Sequence, residues 1–173
     1  MKSFLVLIYL IIFSLFNNVN ANNNIVFIDV DTVLSDSIPG SDVLKQLTVI
    51  KNNNLKDFKK KSKLLKEKEK KIIKQKNILS PEDFQSKVQN LKNEVKTYNE
   101  FRESKIKNYN QIKLNNTNKL LGLINPIIIK YTKDESISLV LQKKNLILGK
   151  VELDITKLII ELVNKNVKEF KIE

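Results

Sequence analysis

Two aspartates one residue apart at the end of an apolar run are the feature of this sequence that most resembles a reactive centre. Ile28-Asp29-Val30-Asp31-Thr32-Val33-Leu34 fits the D-x-D-x-[TV]-[LV] pattern with which some phosphatases supply a carboxylate nucleophile and a second carboxyl acid. That chemistry also needs further acids to hold Mg²⁺, and alternating strands and helices to bring them together. Here a lysine-rich stretch of helical periodicity follows instead. The pair therefore reads as a strand end followed by carboxylates at the start of a helix, where the helix dipole favours negative charge. Other reactive types are missing, with His 0, Cys 0 and Trp 0, so neither imidazole nor thiol chemistry is open to the chain. Asn115-Asn116-Thr117 satisfies the glycosylation pattern, yet with 22 Asn among 173 residues such a triplet arises by chance. The expectation is a non-enzyme, with no catalytic residue, no metal and no cofactor, whose function lies in its surfaces.

Charge is the next candidate. Lys 30, Asn 22 and Ile 22 dominate the composition and Arg102 is the only Arg, a pattern that A/T-rich codon usage produces without selection for any partner. Codon bias would spread lysine evenly, and it is not even. Residues 51–119 hold 20 basic and 8 acidic residues, a net of +12, whereas residues 22–50 and 120–173 hold 10 basic and 11 acidic ones. Segregation on this scale points to an anionic partner or a strongly solvated arm. The candidate client- or anion-binding residues are Lys59, Lys60, Lys63, Lys66, Lys70, Lys71 and Lys74.

Long elements must carry these lysines, because Gly 3 and Pro 3 leave few turns. Met1-Lys2-Ser3, an apolar stretch over 4–16 and Val19-Asn20-Ala21 read as a cleaved signal peptide of residues 1–21, too short to span a membrane. Leu44, Phe58, Leu65, Ile72 and Leu79 share one seven-residue lattice, broken only by Lys51. Phe84, Val88, Leu91, Val95 and Tyr98 alternate by four and three, continuing through Arg102, Lys105, Tyr109 and Ile112. Ser80-Pro81-Glu82-Asp83 starts the second helix, and the short connection at 77–80 makes an antiparallel hairpin. A first helix over 43–78 is about 54 Å long. Pro39-Gly40-Ser41-Asp42 reads as a turn before it, and Asn125-Pro126 as a kink or restart near the end of the second helix, with Ile127, Ile128 and Ile129 entering the body.

The flanking segments read as a small β body of 22–50 and 120–173, beside the basic hairpin of 51–119. A strand over 24–30, a strand over 137–141 returning through Gln142–Asn145 to 146–148, and a last helix capped by Asp154 are expected. The fold class is thus α+β, a small β body with a long projecting coiled-coil hairpin. A body roughly 24 Å across is shorter than the hairpin, which must project into solvent. Three short strands leave open edges, so association of copies through Ile25, Val26, Phe27, Ile28, Ile137, Leu139 and Leu141 is expected.

Ile25-Val26-Phe27-Ile28-Asp29-Val30, the Lys-rich hairpin, Ile137-Ser138-Leu139-Val140-Leu141 with Lys144-Asn145, and Leu153-Asp154-Ile155-Thr156 before a short helix together resemble the Skp/OmpH family of periplasmic chaperones. The resemblance covers the whole mature chain. It implies a homotrimer whose strands join in a shared β-barrel, with three helical arms enclosing unfolded outer-membrane proteins, in the periplasm of a gram-negative envelope and without ATP. The near absence of Arg departs from the family, so arginine contacts to lipopolysaccharide do not carry over.

Weak contacts in number suit a binder that must also release. The basic hairpin would steer acidic clients over about a Debye length, 8–10 Å, and Leu55, Leu64, Ile73 and Ile106, off the main seams, offer shallow apolar contacts. The alternative is a secreted basic coiled coil that binds anionic lipid at the envelope surface. A nucleic-acid partner conflicts with export.

Overall fold

The computed structural model describes residues 24–172. The signal peptide expected over 1–21 lies outside them.

Strand β1 (Asn24–Ile28) leads into a seven-residue helix α1 (Val30–Asp36), then α2 (Ile38–Lys74) and α3 (Pro81–Asp134) as a hairpin, strand β2 (Ile137–Gln142) and helix α4 (Thr156–Asn166). At 1.5 Å per residue α2 and α3 are about 56 and 81 Å long. β1 ends two residues earlier than the sequence pattern indicates, because Asp29 is the N-cap of α1 and accepts from the Thr32 amide at 3.0 Å. Val30 is therefore helical, and Asp31 sits in the first turn.

The Pro39-Gly40 turn expected before the first long helix is instead its first turn. Ser37 caps α2, its hydroxyl accepting from the Gly40 amide at 3.3 Å, and Pro39 takes an early position where no amide is needed. Gly40 permits the sharp corner with α1: a Cβ there would stand 1.9 Å from the Leu34 carbonyl oxygen. The Ile38 amide, left open by the helix, donates to Asn164 Oδ1 of α4 at 2.7 Å. At its far end α2 stops at Lys74, short of residue 78, and 75–79 form the turn.

α3 neither stops nor restarts at Pro126 but runs through to Asp134. The proline removes one intrahelical hydrogen bond, and packing on both sides holds the helix: Ile124 is in the core, and Ile127, Ile128 and Tyr131 pack against it. Ile129 points outward. Ser136, with φ 51°, reverses the chain into β2.

β1 and β2 pair in parallel, with Ile25 opposite Leu139 and Phe27 opposite Leu141, so α1, α2 and α3 together form the crossover that parallel pairing requires. On its other edge β1 meets the approach to α4, where the Ile155 amide donates to the Phe27 carbonyl at 3.0 Å. The expected return strand at 146–148 is not formed. Lys143–Asn145 is a 3₁₀ turn that turns the chain off the outer edge of β2, and Gly149 crosses the Phe27 ring so closely that a Cβ would lie 2.7 Å from it.

The core gathers Ile28, Val33, Val43, Leu47, Leu120, Ile124, Ile155, Ile159, Val163 and Phe170. None of these lies within 51–119. Replacing 51–119 by a short flexible link is therefore expected to leave a cooperatively folding body, weakened at its margin by loss of Tyr109 and Ile112. Ile159→Ala in the full chain should cost about 2–5 kcal/mol. Urea unfolding followed by circular dichroism checks both, and loss of cooperativity in the shortened chain would place part of the core in the hairpin.

Candidate functional site

Between residues 51 and 115 no described side chain is buried; the hairpin seam is half-exposed throughout. Phe58, Leu65 and Ile72 of α2 face Phe84, Leu91, Tyr98 and Phe101 of α3. Two helices alone cannot enclose a seam of this width. An aromatic cluster compensates near mid-arm. Phe58 and Phe101 meet edge to face at 6.1 Å, the Tyr98 hydroxyl donates to the Phe58 carbonyl at 3.0 Å, and Arg102 lies 5.6 Å over Phe58 and 5.8 Å over Tyr98. Nearer the tip, Lys68 Nζ crosses to Glu94 at 2.7 Å. Both ends of that pair are about half exposed, so it fixes register more than it adds stability.

All seven sequence-predicted lysines are exposed on α2. At roughly 100° per residue they fall within one arc of about 140°, opposite the row of Phe58, Leu65 and Ile72. Only Lys63 among them has a carboxylate within ion-pair range, Glu67 at 3.9 Å. The off-seam apolar residues also reach solvent, with Leu55, Leu64 and Ile106 about half exposed and Ile73 62% exposed. One flank holds a groove of about 490 Å³ lined by Leu64, Leu65, Tyr98 and Phe101 with Lys61 and Lys68 at its rim. Lys61 itself lies 4.6 Å over the Phe101 ring. The arm is thus an open surface of mixed cationic and apolar character.

The strand residues divide. Phe27 and Ile28 are buried within the chain, Val26, Ile137 and Leu141 are half-buried, and Ile25 and Leu139 are exposed. β2 has no second strand on its outer edge among the described residues. The stretch beyond it is more exposed still: Ile147, Leu148 and Val151 stand almost wholly in solvent. Sequence reasoning placed the first two in a hairpin, so their exposure was missed; a run of apolar residues ending in glycine carries no sign of which surface it will face.

A profile of the OmpH-like outer membrane proteins matches residues 24–163. This chain belongs to that family. A crystal structure from Caulobacter crescentus CB15, a candidate OmpH-like outer membrane chaperone, superimposes with a TM-score of 0.76 at 13% identity, over 87% of this chain and 89% of that one. No curated protein sequence matches the chain.

Within this OmpH-like fold the two aspartates of the opening motif are structural. The Asp29 amide donates to Thr156 Oγ1 at 2.8 Å, and Asp31 lies exposed, 3.9 Å from Lys144. Asp154, expected as the cap of the last helix, stands one residue before the actual N-cap, Ile155; it accepts from the Thr156 amide at 3.0 Å and from the Thr156 hydroxyl, and Lys143 Nζ reaches it at 2.7 Å. Lys143 was not foreseen, since eleven residues separate the pair. Burial pushes the Asp154 carboxyl up, but the hydrogen bonds from Lys143 and Thr156 outweigh it and hold it below the ordinary value of 3.8. Hydrogen bonding from Thr32, its amide first, likewise lowers Asp29, with a smaller contribution from the charge of Lys143. The same contact with Asp154 raises Lys143 above 10.5.

Lowered carboxylates contribute stability above their unfolded value and lose it as pH falls through the folded one; the raised lysine loses its contribution only as pH rises through its own raised value. These groups therefore leave stability level near neutral pH and weaken the fold in acid. Asp154→Asn should cost about 1–2 kcal/mol near pH 7, and the gap to the parent should shrink near pH 3. Urea titrations at the two pH values measure it, and a gap of constant size would show that the carboxylate charge is not what stabilises this corner.

Proposed function

We infer that this protein is a chaperone of the cell envelope, exported to the periplasm, that holds unfolded outer-membrane proteins between basic helical arms without ATP and prevents their aggregation. One observation carries the reading: an arm about 36 Å long from residue 51 to the end of α2, with no buried residue, that exposes single apolar side chains beside a lysine face. Such a surface binds unfolded chain through many shallow contacts, each weak enough to release. Net charge of +12 over 51–119 favours acidic clients and accelerates their capture.

A single arm has no inside, so holding a client requires several arms. The open edge of β2, with Leu139, Ile147, Leu148 and Val151 exposed nearby, is the surface through which copies of the body would join, and three is the number the family resemblance implies. Light scattering on the mature chain at micromolar concentration is expected to give a trimer; a stable monomer would remove the enclosure from this mechanism.

Dilution of a urea-unfolded outer-membrane barrel protein into the chaperone tests the function directly. Turbidity should be suppressed at near-stoichiometric concentration, whereas lipid binding without protection would favour the anionic-lipid reading. Gln at positions 59, 60, 63, 66, 70, 71 and 74 should leave helicity nearly unchanged. Capture of an acidic client should slow severalfold in low salt and lose much of its salt dependence. Unchanged stopped-flow kinetics at two ionic strengths would reduce the lysine face to a solvated surface.

A further inference from the structure

Beyond α4 the chain turns back along the root of α2. The Phe170 carbonyl accepts from Gln46 Nε2 at 2.7 Å, the Ile172 amide donates to Gln46 Oε1 at 3.2 Å, and the Phe170 amide approaches Asp42 Oδ2 at 3.4 Å. In an extended chain the N–H and C=O of one residue share an edge with those of the residue two further on. Asp42 and Gln46, one helical turn apart, thus stand in for a partner strand and read the main chain of the tail. Gln46 is held for this by a second bond from Nε2 to the Asp42 carbonyl at 3.0 Å. Side-chain selection enters at two positions: Phe170 is buried, with Lys119 Nζ 5.9 Å over its ring, and Ile172 is half-buried against the core, while Lys168 and Glu169 are exposed. The family profile matches residues 24–163, so the tail lies beyond the matched stretch.

We propose that the Asp42–Gln46 face of α2, with the Phe170 pocket beside it, is a binding site for extended polypeptide of the pattern aromatic-x-aliphatic, and that the tail is its tethered resident ligand. A short tether gives an effective concentration of about millimolar, so the intact chain is closed to weaker peptides. A strand-forming client segment of this pattern opens the site by displacing the tail; that step rests on the chaperone reading, and the site itself does not.

The probe is a fluorescein-labelled peptide with the sequence of residues 167–172, titrated by anisotropy into the full chain, a chain ending at Asn166, and full-length Phe170→Ala. Saturable binding is expected to the second and third and not to the first. Gln46→Ala in the shortened chain, or alanine for phenylalanine in the peptide, should weaken binding at least about tenfold. Urea unfolding accompanies each titration. If the shortened chain and Phe170→Ala both lose cooperative unfolding, the tail is a fixed part of the core and the proposal falls. It falls equally if both fold without binding the peptide, or if the full chain binds as well as the shortened one. No client is present, so failure here leaves the aggregation assay standing, and the reverse holds.

Discussion

The hydrogen bonds on the two edges of β1 hold the rest of the body in place. β2 pairs along one edge, and the Ile155 amide meets the Phe27 carbonyl on the other, so a five-residue strand joins the chain before the arm to the chain after it. Where β1 ends, the Asp29 amide donates to Thr156 Oγ1, and Thr156 in turn is held by Asp154, itself gripped by Lys143. Three segments meet at this corner, the end of β1 and two that follow the arm. Because the crossover between the strands contains the whole helical hairpin, the sheet forms only once α2 and α3 have returned to the same place, which ties the root of the arm to the body by topology as well as by packing.

The arm obeys different physics. Its seam is half-exposed and the cross-helix ion pair Lys68–Glu94 is exposed, so apolar burial contributes little per residue and helix propensity with cationic contacts to Phe58, Tyr98 and Phe101 must carry more. Such an arm opens locally at small cost, while the core at its root does not. The holding role proposed above would gain from this, since side chains that are not locked together can adapt to each occupant. Placing the lysines opposite the seam keeps them out of the apolar contact between the helices and leaves their charge available at long range, at the cost of repulsion between pairs such as Lys66–Lys70 and Lys70–Lys74.

How far the sequence speaks depends on the range of the interaction. Helix starts at Ser80-Pro81 and the period of Phe84 through Ile112 were legible because caps and heptads are local, and the charge segregation needed only counting. The first turn of α2 was not, since Pro39-Gly40 has the composition of a loop and becomes helical only because Gly40 lets Leu34 approach. Continuation through Pro126 likewise depends on Ile124, Ile127 and Ile128 finding a core supplied by distant segments. The expected hairpin at 137–148 failed for the same reason in reverse: a local pattern of alternation was overruled by Lys143 reaching Asp154 and by Gly149 passing over Phe27. The seven lysines are exposed on α2, and their angular position opposite the seam is a property of the helix, not of any one residue.

Leverage sets the final constraint. A small rotation at the root of a helix tens of ångströms long moves its tip by several ångströms, so the position of any contact surface on the arm is decided within the first turns of α2. Those turns are held on three sides: by Gly40 against Leu34, by Asn164 on the Ile38 amide, and by Gln46 on the tail. The first depends on a close backbone approach that any Cβ would block, and the second caps a helix end with a group from α4. The third is a pair of side-chain hydrogen bonds at a half-buried site, each contributing about 1 kcal/mol. Whatever loosens the arm without unfolding the body will act on one of the two side-chain restraints, because the Gly40 contact cannot yield without moving the backbone that joins α1 to α2.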